Sequence, residues 1–277
     1  MQCYWIGIGC LWLLLAAPFG LADDSVGELP SPVKIALIID DLGNQKVAGE
    51  HALALPGPVT YAFLPQTPFA EQLASKAHAL HKEVMLHQPM ESDKGNRLGN
   101  GGLTQSMSRE QFIQTLQRNI ASVPHVAGVN NHMGSLLTRD PMAMRWLMSE
   151  LRAAGLFFID SRTTVDTVAE RVANENLLAS SRRHVFLDNT PQETKIRRQF
   201  EKLRLKARSL GGAIGIAHPY PETLAVLREE LPKLKQQGIE LVSVSELINA
   251  RRPLWHAYSS PSPKDVKSSK QSPSQIY

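Results

Sequence analysis

"KIALIIDDLGN" (Lys34–Asn44) decides how the rest of this chain is read. Five apolar residues, Ile35 to Ile39, form a run suited to a buried strand, and the run ends in adjacent carboxylates, Asp40 and Asp41, before a glycine. Along a strand, neighbouring side chains point to opposite sides, but where a strand turns into a loop both can address one space. Without a cation, two carboxylates this close repel and one stays protonated. A turn cap needs only one carboxylate. The pair therefore points to function, one member binding a cation and the other accepting a proton.

Further strand candidates follow: "VTYAFLP", "EVMLHQ", "VAGVNNH", "GLFFIDS", "HVFLDN", "GAIGIAHP" and "IELVSVS". Between them lie amphipathic stretches, of which Ile196, Phe200, Leu203, Ala207 and Leu210 give one clear helical stripe. Ser108 with Gln111 three residues on forms a capping box, and Gly155, Gly211 and Gly238 stand where helices need a left-handed residue to stop. Strands alternating with helices imply parallel pairing and right-handed crossovers. The fold class is therefore α/β, and seven or eight such units fit a (β/α) barrel better than an open sheet, which the pattern alone leaves open.

Asp40, Asp41, His87, His132, Asp160, Asp188 and His218 all fall at C-terminal ends of predicted strands. In a parallel barrel those ends gather on the face where active sites are built. "MLHQPME" puts His87 four residues before Glu91, and "NNHMGS" sets His132 among small or polar neighbours. Imidazole and carboxylate together suit zinc or a similar divalent ion, with three protein ligands leaving one position open. "FFIDSRTT" sets Asp160 two residues before Arg162, either a rim salt bridge or a charge-tuned acid and substrate clamp. "GIAHPYPETL" holds His218 in a rigid, aromatic-bearing loop.

Composition narrows the classes. The 277 residues carry a net charge of +4, too small and too dispersed to argue for nucleic acid. Residues 1–22 read as a signal peptide: an apolar stretch from Tyr4 to Ala17, then Pro18 and a small-residue end before Asp23. That stretch falls short of the roughly 20 residues that span a bilayer, so no stable membrane insertion is expected after cleavage. Both cysteines, Cys3 and Cys10, lie inside it, which leaves the mature chain without a thiol nucleophile or disulfide. A linker over 23–32, one domain over 33–252 and a Ser/Pro/Lys-rich disordered tail over 253–277 complete the expected organisation, in a periplasmic or secreted protein.

"IALIIDDLG", "LHQPME", "NNHMGS", "FFIDSRT", "RHVFLDN" and "GIAHPYPETL", in this order, resemble the divergent polysaccharide deacetylase family (YibQ-like) and, more distantly, the NodB-type carbohydrate esterases. The resemblance implies a distorted (β/α) barrel of about seven parallel strands, NodB-like, that uses a divalent metal, zinc being the expected ion, to remove N-acetyl groups from a glycan or peptidoglycan-like substrate. It implies Asp40 as catalytic base, Asp41 and His87 as metal ligands, His218 as general acid, and Asp160 and Arg162 at charge-tuning positions. The NodB-type pattern has a second histidine four residues after the first, where this sequence has Glu91. His132, from the next strand, is assigned as the third ligand in its place. The arginine motif of the NodB type is missing, with "SRT" around Arg162 its nearest substitute.

The resulting expectation is an exported amidohydrolase. Asp40 takes a proton from water, His218, oriented by Asp160, protonates the leaving amine, and the region of Asn131 and Ser135 helps hold the oxyanion. The altered motifs keep a second reading open, a catalytically inactive glycan- or envelope-binding protein. A phosphoesterase ranks third, because phosphoryl chemistry prefers more cationic groups than Arg162 alone.

Overall fold

The computed structural model describes residues 1–4 and 32–251. The expected leader apart from its first four residues, the linker apart from Pro32, and the tail lie outside the described residues, as does residue 252 of the expected domain. The described domain is built on strands β1 (Val33–Leu42), β2 (Thr60–Phe63), β3 (Val84–Met90), β4 (Val126–Met133), β5 (Phe157–Asp160), β6 (Ser180–Arg182), β7 (Val185–Phe186), β8 (Gly212–Ala217) and β9 (Ile239–Val242). Their order in the sheet is β6-β5-β4-β3-β2-β1-β8-β7, with β9 added beside the first half of β1. Every pairing is parallel, as the alternating pattern predicts.

The two ends of this ladder are nearly one strand. β6 pairs with β5 and β7 with β8, yet only Arg183 and His184 separate them. The Arg183 N–H donates to the Asp160 carbonyl and the His184 N–H to that of Ile214, each at 2.9 Å. One stretch of chain thus changes partner and closes the curled sheet, which is the distortion of the barrel. All eight strands expected from sequence are present. β6, with the polar sequence Ser-Ser-Arg, carries no apolar signal and is not among them.

Helices α1 (Lys46–Leu53), α2 (Ala70–Ala79), α3 (Arg109–Ala121), α4 (Pro141–Ala153), α5 (Ala169–Glu175), α6 (Glu193–Leu210), α7 (Pro221–Glu230) and α8 (Val244–Arg251) complete the domain. The alternation of β1 sorts its side chains between two layers. Ile35, Leu37 and Ile39 pack in the layer shared with Leu73, Phe112 and Phe200 of the outer helices. Ala36 and Ile38 pack inside the barrel with Ile214, Ile216 and Val244, Leu247 and Ile248 of α8. On α6 the expected stripe buries Ile196, Phe200, Leu203 and Ala207, whereas Leu210 in the last turn is exposed. The capping box of Ser108 and Gln111 forms, and Gly211 ends α6 at φ 73°. Of the amphipathic stretch over residues 163–177 only α5 is helical, and in that over 222–238 the helix ends as α7 before Pro232, which lacks the N–H to continue it.

Inner-facing positions of β1 run Ala36, Ile38, Asp40, so alternation alone would turn Asp41 outward. The register of β1 on β2 slips between Ile39 and Leu42, and Asp41 adopts φ 60°. This bulge brings both carboxylates to the same mouth, which answers the question raised by the sequence. Gly43 follows at φ 114°, where a Cβ would lie 2.1 Å from Thr67 Oγ1. Left-handed residues also end β4 (Met133, φ 52°) and follow β5 (Arg162, φ 53°). Each such non-glycine conformation costs about 1–3 kcal/mol and persists where surroundings over-determine it.

Two substitutions test this architecture in urea unfolding. Phe200→Ala, at a fully buried position, is expected to cost about 3–5 kcal/mol. Gly43→Ala is expected to cost about 1–3 kcal/mol, from backbone strain and the clash with Thr67.

Candidate metal centre

Three ligand atoms converge above the bulge. Asp41 Oδ1 lies 3.1 Å from His87 Nε2 and 2.9 Å from His132 Nδ1. The two ring nitrogens are 3.1 Å apart. Asp41 Oδ1 is buried, and although both nitrogens are at hydrogen-bond distance, neither N–H is directed at it. Two imidazole nitrogens and a carboxylate oxygen gathered this closely are the donor set a divalent cation takes. Ligands held about 2.0–2.1 Å from a zinc ion stand roughly 3.3 Å apart in a tetrahedron, so a triangle of this size and donor type fits a divalent ion. Among the described residues, this is the one such cluster of three.

The electrostatics agree. Burial would raise the Asp41 carboxyl, but His132 and His87 outweigh it and hold it well below the usual carboxylate range. Burial would lower the His87 imidazole, but Asp40 and Asp41 hold it up at about 9. Asp41 therefore presents a negative charge to the triangle.

Asn130 sets the orientation of the two buried members of the site. His87 Nδ1 lies 2.9 Å from Asn130 Oδ1, so a proton on Nδ1 leaves Nε2 as the free ligand nitrogen. Asn130 Nδ2 donates to Asp40 Oδ1 at 2.8 Å. Asp40 is almost wholly buried, 3.7 Å from His87 Nδ1, and burial lifts its pKa although the charges of His87 and His218 oppose this.

His218 approaches from β8, its Nε2 3.6 Å from Asp41 Oδ2. Its Nδ1 lies 3.0 Å from Asp188 Oδ1, while Asp188 Oδ2 accepts from the His218 N–H and from Thr223 Oγ1. Burial would lower the His218 pKa, but Asp188, Asp40 and Asp41 hold it above its ordinary value. The rings of Phe186 and Tyr220 flank it at 5.4 and 5.6 Å.

The structure therefore brings together Asp40, Asp41, His87, His132 and His218, and it corrects the supporting cast. Asp160 does not orient His218. It is fully buried and accepts from the Arg162 N–H and Thr167 Oγ1, which fixes the loop after β5, and the orienting carboxylate is Asp188. Asn131 is engaged on the other side of its strand, accepting from the Ser161 N–H and donating to the Met133 carbonyl. Ser135 donates to Asp93 in an exposed loop. Arg162 contributes backbone bonds, and the cation whose field reaches Asp40 is Arg183, which donates to the carbonyls of Ser161 and Arg162 and stacks on Phe186. Glu91 is outside the triangle: its carboxylate accepts from the Gln105 N–H and its carbonyl from Leu136 and Leu137. Asn130 and Arg183 escaped the sequence reading. For Asn130 a signal existed, since it shares a strand face with His132 two residues on.

The chain matches the family described as divergent polysaccharide deacetylase over residues 37–248. It is 36% identical over 214 residues to an uncharacterized protein of Haemophilus influenzae, covering 77% of this chain and 76% of that one. It is also 36% identical over 232 residues to the uncharacterized protein YibQ of Escherichia coli, covering 83% of this chain and 72% of YibQ. Among solved structures, the uncharacterized protein ATU2773 from Agrobacterium tumefaciens C58 superposes with a TM-score of 0.76 at 25% identity, covering 78% of this chain and 89% of that one. A match that runs from the first strand to the last helix, with relatives this similar over most of their length, makes the chain a member of the divergent polysaccharide deacetylase family.

Proposed function

We propose that this protein is a metal-dependent amidohydrolase that removes an N-acyl group from an amino sugar of cell-envelope glycan. The observation that carries the reading is the triangle of Asp41, His87 and His132, flanked by the buried Asp40 carboxylate on one side and by His218, held by Asp188, on the other. The leader-like stretch Tyr4–Ala17 supports a site of action in the periplasm or outside the cell.

Asp41 Oδ1, His87 Nε2 and His132 Nδ1 would hold the ion, and zinc suits this mixed nitrogen–oxygen set. A divalent ion bound there supplies a Lewis acid for the amide carbonyl and makes water a nucleophile near neutral pH. The residues do the proton work. Asp40 accepts the proton of the attacking water as the new C–O bond forms, its basicity raised by burial and its position fixed by Asn130. His218 Nε2 delivers a proton to the amide nitrogen as the C–N bond breaks, giving a carboxylate and a free amine. Asp188 fixes the His218 ring so that Nδ1–H points away from the substrate, and it stabilises the imidazolium before transfer.

Three measurements check this. Elemental analysis is expected to find about one zinc per chain in the wild type and almost none in His87→Ala or His132→Ala. Asp40→Asn is expected to keep the metal yet lower carboxylate release from N-acetylglucosamine oligomers by roughly 10²–10⁴-fold. A metal-free wild type that hydrolyses these oligomers at full rate would overturn the reading. Asn130→Leu is expected to weaken zinc binding by about 10–100-fold in competition with a chromogenic chelator, since it frees the His87 ring.

A further inference from the structure

Two clefts meet at Asp41 and Asn44. The first, about 530 Å³, passes His218 and is lined by Val47, Tyr220 and Arg228. The second, about 430 Å³, passes His132 and lies between the loops 64–68 and 97–100. His218 and His132 address different oxygens of the Asp41 carboxylate, Oδ2 and Oδ1. One cleft thus leaves the site past His218 and the other past His132.

This arrangement gives the substrate a direction. An amide carbon bears an oxygen, a nitrogen and an acyl carbon, roughly in one plane. With the oxygen toward the triangle and the nitrogen toward its proton donor His218, the sugar occupies the first cleft. There Tyr220 offers an aromatic face of the kind sugar rings stack on. The acyl carbon then points away from His218, past His132, into the second cleft. An acetyl group would place a single methyl there.

The second cleft is a built recess rather than a gap between mobile loops. Asn100 Nδ2 donates to the Gln66 carbonyl at 3.1 Å, tying one wall to the other. Gln66 Nε2 donates to Asn119 Oδ1 at 2.9 Å, and Asn119 in turn donates to Gln88 and to the Gly101 carbonyl. Only glycine allows this approach, since a Cβ on Gly101 would lie 2.1 Å from Asn119 Oδ1. The recess combines the apolar surfaces of Leu64, Pro65, Pro89 and Leu98 with polar groups of Gln66, Thr67, Arg97 and Asn100. Such pre-formed, mixed walls suit a chain of several carbons.

We infer that the second cleft is an acyl-binding site, and that the favoured substrates carry an N-acyl group several carbons longer than acetyl. The inference rests on the proposed hydrolysis and names its substrate class. The zinc-loaded full chain is assayed on glucosamine oligomers bearing N-acetyl, N-butanoyl or N-hexanoyl groups, with the released carboxylate quantified. The expected result is a kcat/KM at least tenfold higher for hexanoyl than for acetyl, and a Leu98→Trp variant that lowers this ratio about tenfold. Release of acetate at a rate equal to or above that of hexanoate overturns the inference and leaves the proposed hydrolysis standing. Rates that climb with the number of sugars and ignore acyl length also overturn it, because the glycan then runs through both clefts. Release of no carboxylate from any oligomer removes the hydrolysis and the inference together.

Discussion

Two carboxylates on consecutive residues at the end of a buried strand repel one another, and the mouth of this barrel is organised around their neutralisation. Asp40 points inward with the alternation of β1, and Asp41 is brought round beside it by a bulge and a left-handed backbone. His87 lies between them, one ring nitrogen toward each. The backbone strain at Asp41 makes sense only as part of that arrangement, because an unstrained strand would send Asp41 into the outer layer with Ile35, Leu37 and Ile39.

Asn130 divides the labour of the two acids. By accepting from His87 and donating to Asp40, one amide fixes a tautomer for the metal side and a position for the proton acceptor. The carboxylates consequently differ in chemistry although they are neighbours in sequence. Asp41 is driven strongly acidic by two imidazoles, whereas Asp40, deep and single-donor, is pushed the other way. Groups whose surroundings force their proton affinities apart can take separate roles in one reaction.

Much of this was legible in the chain. Apolar runs ending in Asp or His place polar groups at one end of a parallel sheet whatever the details of the helices, so the five residues that converge were all visible. The supporting contacts were harder. Asn131 looked as eligible as Asn130 until strand alternation is applied, since only Asn130 shares the inner face with His132. Asp160 and Asp188 both end strands with aspartate, and nothing local says which one reaches His218 across the sheet. That is a matter of which strands are neighbours, with β7 beside β8. The choice between Glu91 and His132 was of the same kind, because β3 stays extended through Met90 and carries Glu91 roughly 13 Å along from His87, whereas paired strands put Pro89 and His132 side by side.

The partner change at Arg183 and His184 has a consequence for the protein's behaviour in a crowded solution. A sheet with two free edges offers rows of unsatisfied amides to any passing strand, and is prone to stick to itself. Here both terminal positions are occupied by the same short length of chain, three residues at one edge and two at the other. What these two terminal strands leave open is too brief to template a foreign strand.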